Sequence, residues 1–198
     1  MTKALDFAAG LGLYDLWAES KLKGVHRTLI KFADLGRNEQ VLDVGCGTGI
    51  LASLLVETSR EIRVCGIDIG PRMIRISKKR ARENGHNINY TVGSAIKLPY
   101  STGKFDAVFT CLLFHLLESS EKELALMEIY RVLKPAGKYV AAEFEEYPAG
   151  FLQRRMLRFP ANLIEKCGFY VDSEVRGPRL TKRRPTTYRV LAKPEICG

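Results

Sequence analysis

The stretch VLDVGCGTG (41–49) decides the fold. Val41, Leu42 and Val44 make a short apolar run, the pattern of a buried strand. Gly45, Gly47 and Gly49 then allow a sharp turn and a close approach of backbone to a ligand. A helix over 50–59 follows, and its first N–H groups have no intrahelical partner. The spacing is G-x-G-x-G, not the G-x-G-x-x-G of dinucleotide-binding loops. A glycine loop alone says little, but this one has a strand before it and a helix after it. It also has an acidic residue, Asp68, 25 positions after Asp43 at the end of a second strand. A carboxylate there can accept from both hydroxyls of a ribose. Asp43, just ahead of the turn, suits a ligand with a cationic part and would repel a pyrophosphate.

Outward from this loop the chain alternates. A short lead over 11–17 precedes an amphipathic helix carrying Ala18, Leu22, Val25, Leu29, Phe32 and Ala33, with Gly36 as its stop. Strands are expected at 41–45, 62–68, 88–93, 105–111 and 137–144. Helices are expected at 50–59, from Pro71 to about Gly85, at 121–133, and over 151–167 with Pro160 as start or kink. Strands 169–175 and 186–192 close the chain around a ten-residue loop. Strand–helix alternation means a parallel sheet with helices on both faces. The fold class is therefore α/β: a doubly wound, seven-stranded, mostly parallel sheet with an antiparallel C-terminal edge hairpin. In such a sheet the ligand lies at the carboxyl ends of the strands, where strand order reverses.

Composition sets the outer bounds. The 198 residues are 46% hydrophobic and 27% charged, as in ordinary globular chains, which excludes collagen-like and wholly disordered classes. The longest mostly apolar stretch, Ala107 to Leu117, is too short to span a bilayer. The opening MTKALDFAAG lacks the apolar core of a secretory signal. Five scattered Cys without a CxxC pair read as reduced thiols in a cytoplasmic protein, with no metal site expected. The net charge of +9 is concentrated: residues 150–198 hold eleven Lys/Arg against four Asp/Glu. A second basic cluster comprises Arg72, Arg75, Lys78, Lys79, Arg80 and Arg82. Such patches attract phosphate, nucleic acid or anionic lipid, and are as often simply a solvated face.

Five segments together resemble the class I S-adenosylmethionine-dependent methyltransferases: VLDVGCGTG (41–49), GIDIGPRMI (66–74), GSA..LPY (93–100), FDAVFTCLLFH (105–115) and EIYRVLKPAGK (128–138). The nearest style is the small-molecule group that includes quinone-biosynthesis C-methyltransferases and phospholipid N-methyltransferases. The resemblance implies a Rossmann-like methyltransferase domain over 37–198 and an N-terminal helical cap over the active site at 1–36. It implies S-adenosyl-L-methionine as cofactor. Gly45, Cys46, Gly47 and Gly49 would pack along its methionine and ribose, with Asp43 orienting its amino group and Asp68 taking the ribose hydroxyls. Ile69 and Met73 would flank the adenine. Ser94 stands where the family often has Asp, and Ala95 would offer a backbone N–H. Thr110 and Cys111 would leave the fourth strand beside the transferred methyl.

The family reaction is an in-line displacement, in which the protein mainly aligns and desolvates the reactants. The candidates for acid–base or substrate-positioning work are Glu143, His115 and Tyr14; Glu145 and Glu146 lie beyond Glu143. Larger relatives insert a lid after the fifth strand, where this chain has only EEYPAGFLQRRMLRF (145–159). An open site suits a large or surface-bound substrate or a partner subunit as lid, and the apolar-plus-basic FLQRRMLRF is what an anionic membrane surface attracts. The acceptor is therefore expected to be a small molecule or lipid-like compound, with peripheral contact to an anionic membrane and room for a homo-oligomer. RNA is the alternative acceptor, disfavoured because the Asn/Asp-Pro-Pro-Tyr signature of base-amino methylation is absent after the fourth strand. A non-catalytic cofactor-binding partner subunit is a further alternative.

Overall fold

The computed structural model describes residues 13–58, 61–144, 161–181 and 184–193. In chain order the elements are α1 (Leu13–Ala33), β1 (Gln40–Val44), α2 (Ile50–Thr58), β2 (Arg63–Asp68), α3 (Pro71–Glu83), β3 (Ile88–Val92), β4 (Phe105–Cys111), a 3₁₀ turn (Phe114–Leu116), α4 (Ser119–Val132), β5 (Leu133–Phe144), α5 (Ala161–Lys166), β6 (Tyr170–Thr181) and β7 (Arg184–Ala192). The strands lie in the order β3-β2-β1-β4-β5-β7-β6. β1 to β5 pair in parallel, and β7 runs antiparallel to both β5 and β6. This is the Rossmann-like, mostly parallel α/β arrangement that the alternation implies. Strand order reverses between β1 and β4, so the crevice opens at their carboxyl ends.

Side-chain alternation along the strands builds two cores. Val41, Ala107 and Phe109 face α1, α2 and α3, where Leu22, Val25, Leu29, Leu51, Leu55 and Ile74 pack. Leu42, Val44, Phe105, Val108 and Tyr139 face α4 and α5, against Leu126, Ile129 and Ile164. Lys138 of β5 ties the end of α1 to the sheet, its Nζ donating to the Ala33 carbonyl at 3.1 Å. In α3, Pro71 occupies the first turn, where a missing N–H costs nothing. Met73, Ile74, Ser77 and Ala81 of α3 are buried while Arg75, Lys78, Lys79 and Arg82 are exposed. Arg80 departs from that solvated face: its Nε donates to the Thr48 carbonyl of the glycine loop at 3.1 Å.

Four boundaries differ from the sequence reading. Helix α1 begins at Leu13, inside the expected lead, because LYDLWAESKLK contains no Pro or Gly to delay it. Helix α4 begins at Ser119 because Glu118 and Glu121 form a reciprocal capping box, with the Glu118 N–H donating to Glu121 Oε2 at 2.9 Å. β5 starts at Leu133, which pairs with Phe105 before the register shifts past Ala136, a residue at φ +59°. The closing hairpin has no ten-residue loop: β6 runs to Thr181, which pairs with Arg184. The segment 145–159, with Glu145, Glu146 and FLQRRMLRF, lies outside the described residues, as does Pro160.

His26 on α1 is 5% exposed, and its Nδ1 finds no hydrogen-bond partner among the described residues. Burial penalises the imidazolium and pulls the pKa down to about 4. The unfolded chain then binds this proton more readily than the folded one. His26 therefore costs nothing above its ordinary pKa near 6.5, and stability is lost as pH falls from there toward 4. Thermal unfolding across that range should show the decline, and His26→Leu, which removes the titrating group, should flatten it.

Candidate active site

The glycine loop is pinned from β2. The N–H groups of Gly45 and Cys46 both donate to the Ile67 carbonyl, at 2.8 and 3.1 Å. The Gly47 N–H donates to Asp68 Oδ2 at 2.9 Å, and the Gly70 N–H to Asp68 Oδ1 at 2.8 Å. Asp68 thus ties the loop after β1 to the loop after β2. A carboxylate has about four lone-pair sites, so both oxygens keep capacity for a further donor. Gly45, Gly47 and Gly49 have φ of +73°, +52° and +80°, values that disfavour a side chain. Their surroundings differ. A Cβ on Gly49 would sit 2.4 Å from Tyr90 Oη, and one on Gly45 would sit 2.9 Å from Leu113 Cδ1. A Cβ on Gly47 would meet nothing within 4 Å. The open side of the loop is therefore at Gly47.

Asp43 lies on the same side of β1 as Val41, 1% exposed, and its Oδ2 has no hydrogen-bond partner among the described residues. Burial pushes its pKa up to about 8, the charge of Asp68 adds to the rise, and the Ala52 N–H from α2 opposes it. A buried carboxyl oxygen without a hydrogen-bond partner among the described residues, on the strand that leads into the glycine loop, has the chemistry to take a cationic group. This fits S-adenosyl-L-methionine, which carries an ammonium, a sulfonium and a ribose. Asp43 and Asp68 have the donor and acceptor character to hold it.

The remaining expected cofactor residues are spread around this centre. Ile69 is 62% exposed at the lip after β2, and Met73 is buried on the first turn of α3. Ser94 sits in a tight turn, its carbonyl accepting from Lys97 N–H at 3.2 Å and its Oγ from Ile96 N–H at 3.4 Å. Ala95 packs partly against the α4 core. That loop is clamped by α4: Glu128 Oε2 accepts from Leu98 N–H, and Arg131 donates to the carbonyls of Leu98 and Tyr100. Cys46 is buried, and Cys111 packs against the α1 side of the core. Burial, with Asp43 nearby, pushes both thiols well above the usual cysteine range, so neither is a ready nucleophile. The Thr110 hydroxyl does not face the loop; it shares a 2.8 Å hydrogen bond with Tyr139 Oη in the other core.

On the acceptor side the structure brings His115 and Glu143 together. Glu143 is 3% exposed near the end of β5. Its Oε1 accepts from the N–H groups of Leu113 and Phe114 at 2.7 and 2.8 Å, and its Oε2 lies 3.5 Å from His115 Nδ1. His115 lies in the 3₁₀ turn with its side chain 21% exposed. Tyr14 falls in the first turn of α1, and its side chain lies outside what is described. Two participants escaped the sequence reading. Leu112 holds a left-handed φ of +56° with its N–H bound to the Ala142 carbonyl, and Leu113 closes on Gly45. No local sequence signal marks either, because both follow from β4 and β5 lying side by side.

The raised pKa of Asp43 is a statement about stability. The folded chain holds this proton where the unfolded chain, at about 3.8, has lost it. The associated stability is complete below that value and is lost as pH rises through about 8. Without ligand, Asp43→Asn should therefore melt higher than wild type at alkaline pH and nearly level with it at acid pH.

Known proteins resemble this chain in sequence and in fold. Residues 41–137 match the family model described as a methyltransferase domain. The chain is 37% identical over 112 residues to the demethylmenaquinone methyltransferase of Thermus thermophilus, covering 57% of this chain and 50% of that one. It is 30% identical over 175 residues to the ubiquinone/menaquinone biosynthesis C-methyltransferase of Yersinia pestis, covering 84% and 68%. It spans from half to about two thirds of the length of the curated relatives it matches. The fold superposes on a solved S-adenosylmethionine-dependent methyltransferase of Methanosarcina mazei with a TM-score of 0.70 at 21% identity, covering 84% of this chain and 97% of that one. By these matches and by its sheet order, the chain belongs to the class I S-adenosylmethionine-dependent methyltransferases and is related to the C-methyltransferases of quinone biosynthesis.

Proposed function

We propose that this chain methylates a small, lipid-like aromatic acceptor, of the kind that the quinone-biosynthesis relatives are named for. The observation that carries the reading is the buried Asp43 Oδ2, which has no hydrogen-bond partner among the described residues, on the strand that leads into a glycine loop open at Gly47. When bound, the cofactor supplies an electrophilic methyl group. Asp43 would hold its ammonium and Asp68 its ribose hydroxyls. Ile69, whose apolar surface is uncovered, would lie over the adenine with Met73, and Ser94 and Ala95 would border its edge. Thr110 would contribute only through its backbone, since its hydroxyl is committed to Tyr139. His115 is the group we assign to the acceptor's proton: a phenolic acceptor becomes a carbon nucleophile when it loses its hydroxyl proton, and imidazole is suited to take it near neutral pH.

The N-terminal 1–36 would cover the active site as a cap, with Tyr14 near its start, over a methyltransferase domain at 37–198. No helix among the described residues is long and apolar enough to cross a membrane. A lipid-like acceptor would then be met at a cytoplasmic membrane surface, through basic residues such as Arg75, Lys79 and Arg82, which α3 exposes. The charge of residues 150–198, eleven Lys/Arg against four Asp/Glu, favours RNA bound by a basic C-terminal face as a second reading.

Transfer of labelled methyl from S-adenosyl-L-methionine into a cell extract, separated into lipid, small-molecule, RNA and protein fractions, tests the proposal. Label is expected in the lipid or small-molecule fraction; label in RNA alone would replace this reading with the second. Asp68→Ala, which loses two charge-assisted hydrogen bonds and a ribose partner, should weaken cofactor binding by about 10²-fold or more. A bound cation favours the Asp43 carboxylate, so cofactor affinity should rise with pH up to about 8 and then level off. Titration calorimetry across pH would read that proton release directly.

A further inference from the structure

Resting on the assignment of His115 as the proton acceptor, we infer that Glu143 is the positioning residue that fixes the imidazole's tautomer, keeping the proton on Nδ1 and the Nε2 lone pair toward the acceptor. The geometry is one-sided. His115 Nδ1 is buried and lies 3.5 Å from Glu143 Oε2, an ion-pair contact and not a hydrogen bond. The side chain keeps 21% of its surface exposed. A carboxylate accepts and does not donate, so it selects the Nδ1–H form. Glu143 is itself held: Oε1 accepts the Leu113 and Phe114 N–H groups that open the turn carrying His115.

One side chain therefore sets both the position of the turn and the tautomer of the imidazole within it. It also reaches the cofactor side, because Leu113, whose N–H it holds, is the residue that closes on Gly45. Other titratable groups face this centre. Lys122 is buried on α4 within electrostatic reach of Glu143 and Glu118, and the Cys111 thiol lies on the β4 side. The Cys111 thiol, pushed well above its usual range by burial, brings no charge.

Glu143→Gln separates the two jobs. The amide oxygen can still accept from Leu113 and Phe114, which keeps the turn. The amide NH₂ then faces His115 Nδ1, which must become an acceptor, so the proton moves to Nε2. Nitrogen-15 NMR of the full chain labelled at histidine, at mildly alkaline pH, reads this directly, with His115→Gln assigning the signal among the three histidines. The expected result is an Nδ1–H tautomer in wild type and an Nε2–H tautomer in Glu143→Gln. An Nε2–H wild type, or a tautomer unchanged by the substitution, overturns the inference. The wild-type spectrum decides even where the variant does not fold.

The kinetic counterpart is a split. In Glu143→Gln, kcat should fall by about 10²-fold with KM for the cofactor unchanged. Equal losses in kcat and cofactor affinity would mark a merely structural role and overturn the assignment. The tautomer readout needs no turnover, so a failure of the methyl-transfer reading remains distinguishable from a failure of this one.

Discussion

A carboxyl group taken out of water stands at the centre of this molecule. Asp43 sits on the central strand β1, enclosed between β2 and β4, with a second carboxylate near enough to disfavour its charge. Burying such a group costs free energy unless something offsets it. Within the chain the offset is partial, through the Ala52 N–H at the start of α2. In the function proposed, the rest falls to a ligand with a positive charge. Stability has been given up at one position so that binding energy can be recovered there, a usual reason for perturbed carboxyls to gather at functional sites.

The elements around Asp43 keep that arrangement from relaxing. Asp68 joins two loops, Arg80 crosses from α3 to hold the Thr48 carbonyl, and Glu128 with Arg131 clamps the loop after β3. Most of these contacts involve charged groups bonded to backbone, which are shorter and stronger than neutral pairs. Much of what looks like a ligand-binding motif is thus a frame that holds backbone in place. The EIYRVLKPAGK segment is the plainest case: its Glu128 and Arg131 serve the Ser94–Tyr100 loop from a distance of some thirty residues in sequence.

The fold was legible because it is written in local patterns. VLDV and FDAVFTC are short apolar runs between glycine, proline and polar breaks, and periodicity separates them from the helices. The placement of Asp43 on β1 and of Asp68 at the end of β2 was legible because a strand end and a glycine turn fix their neighbourhood. Thr110 was not, because the chain does not say which face of β4 looks at the cofactor; the hydroxyl went to Tyr139 on the far side. Glu143 was singled out, but its task depends on Leu113, Phe114 and His115, about thirty residues away across the β4–β5 pair. Arg80 read as one more solvated cation because its partner, a backbone carbonyl, carries no sequence signature. The start of β5 was missed because Leu133 and Lys138 both pair with β4 across a register shift, while Pro135 between them reads as a stop.

The glycines around the cleft do not carry equal information about the ligand. A side chain on Gly49 would strike Tyr90 and Ser77, and one on Gly66 would strike Tyr90 and Cys46, so these positions are closed by the protein itself. Variants there that lose function report damaged packing and say nothing of what binds. Gly47 is different: its missing side chain faces open space. An alanine there would carry a modest backbone penalty for its positive φ and would otherwise intrude only on a guest. Within one five-residue loop, then, a scan of substitutions contains both a gauge of folding and a gauge of occupancy. Only the residue with nothing around it measures what the loop is for.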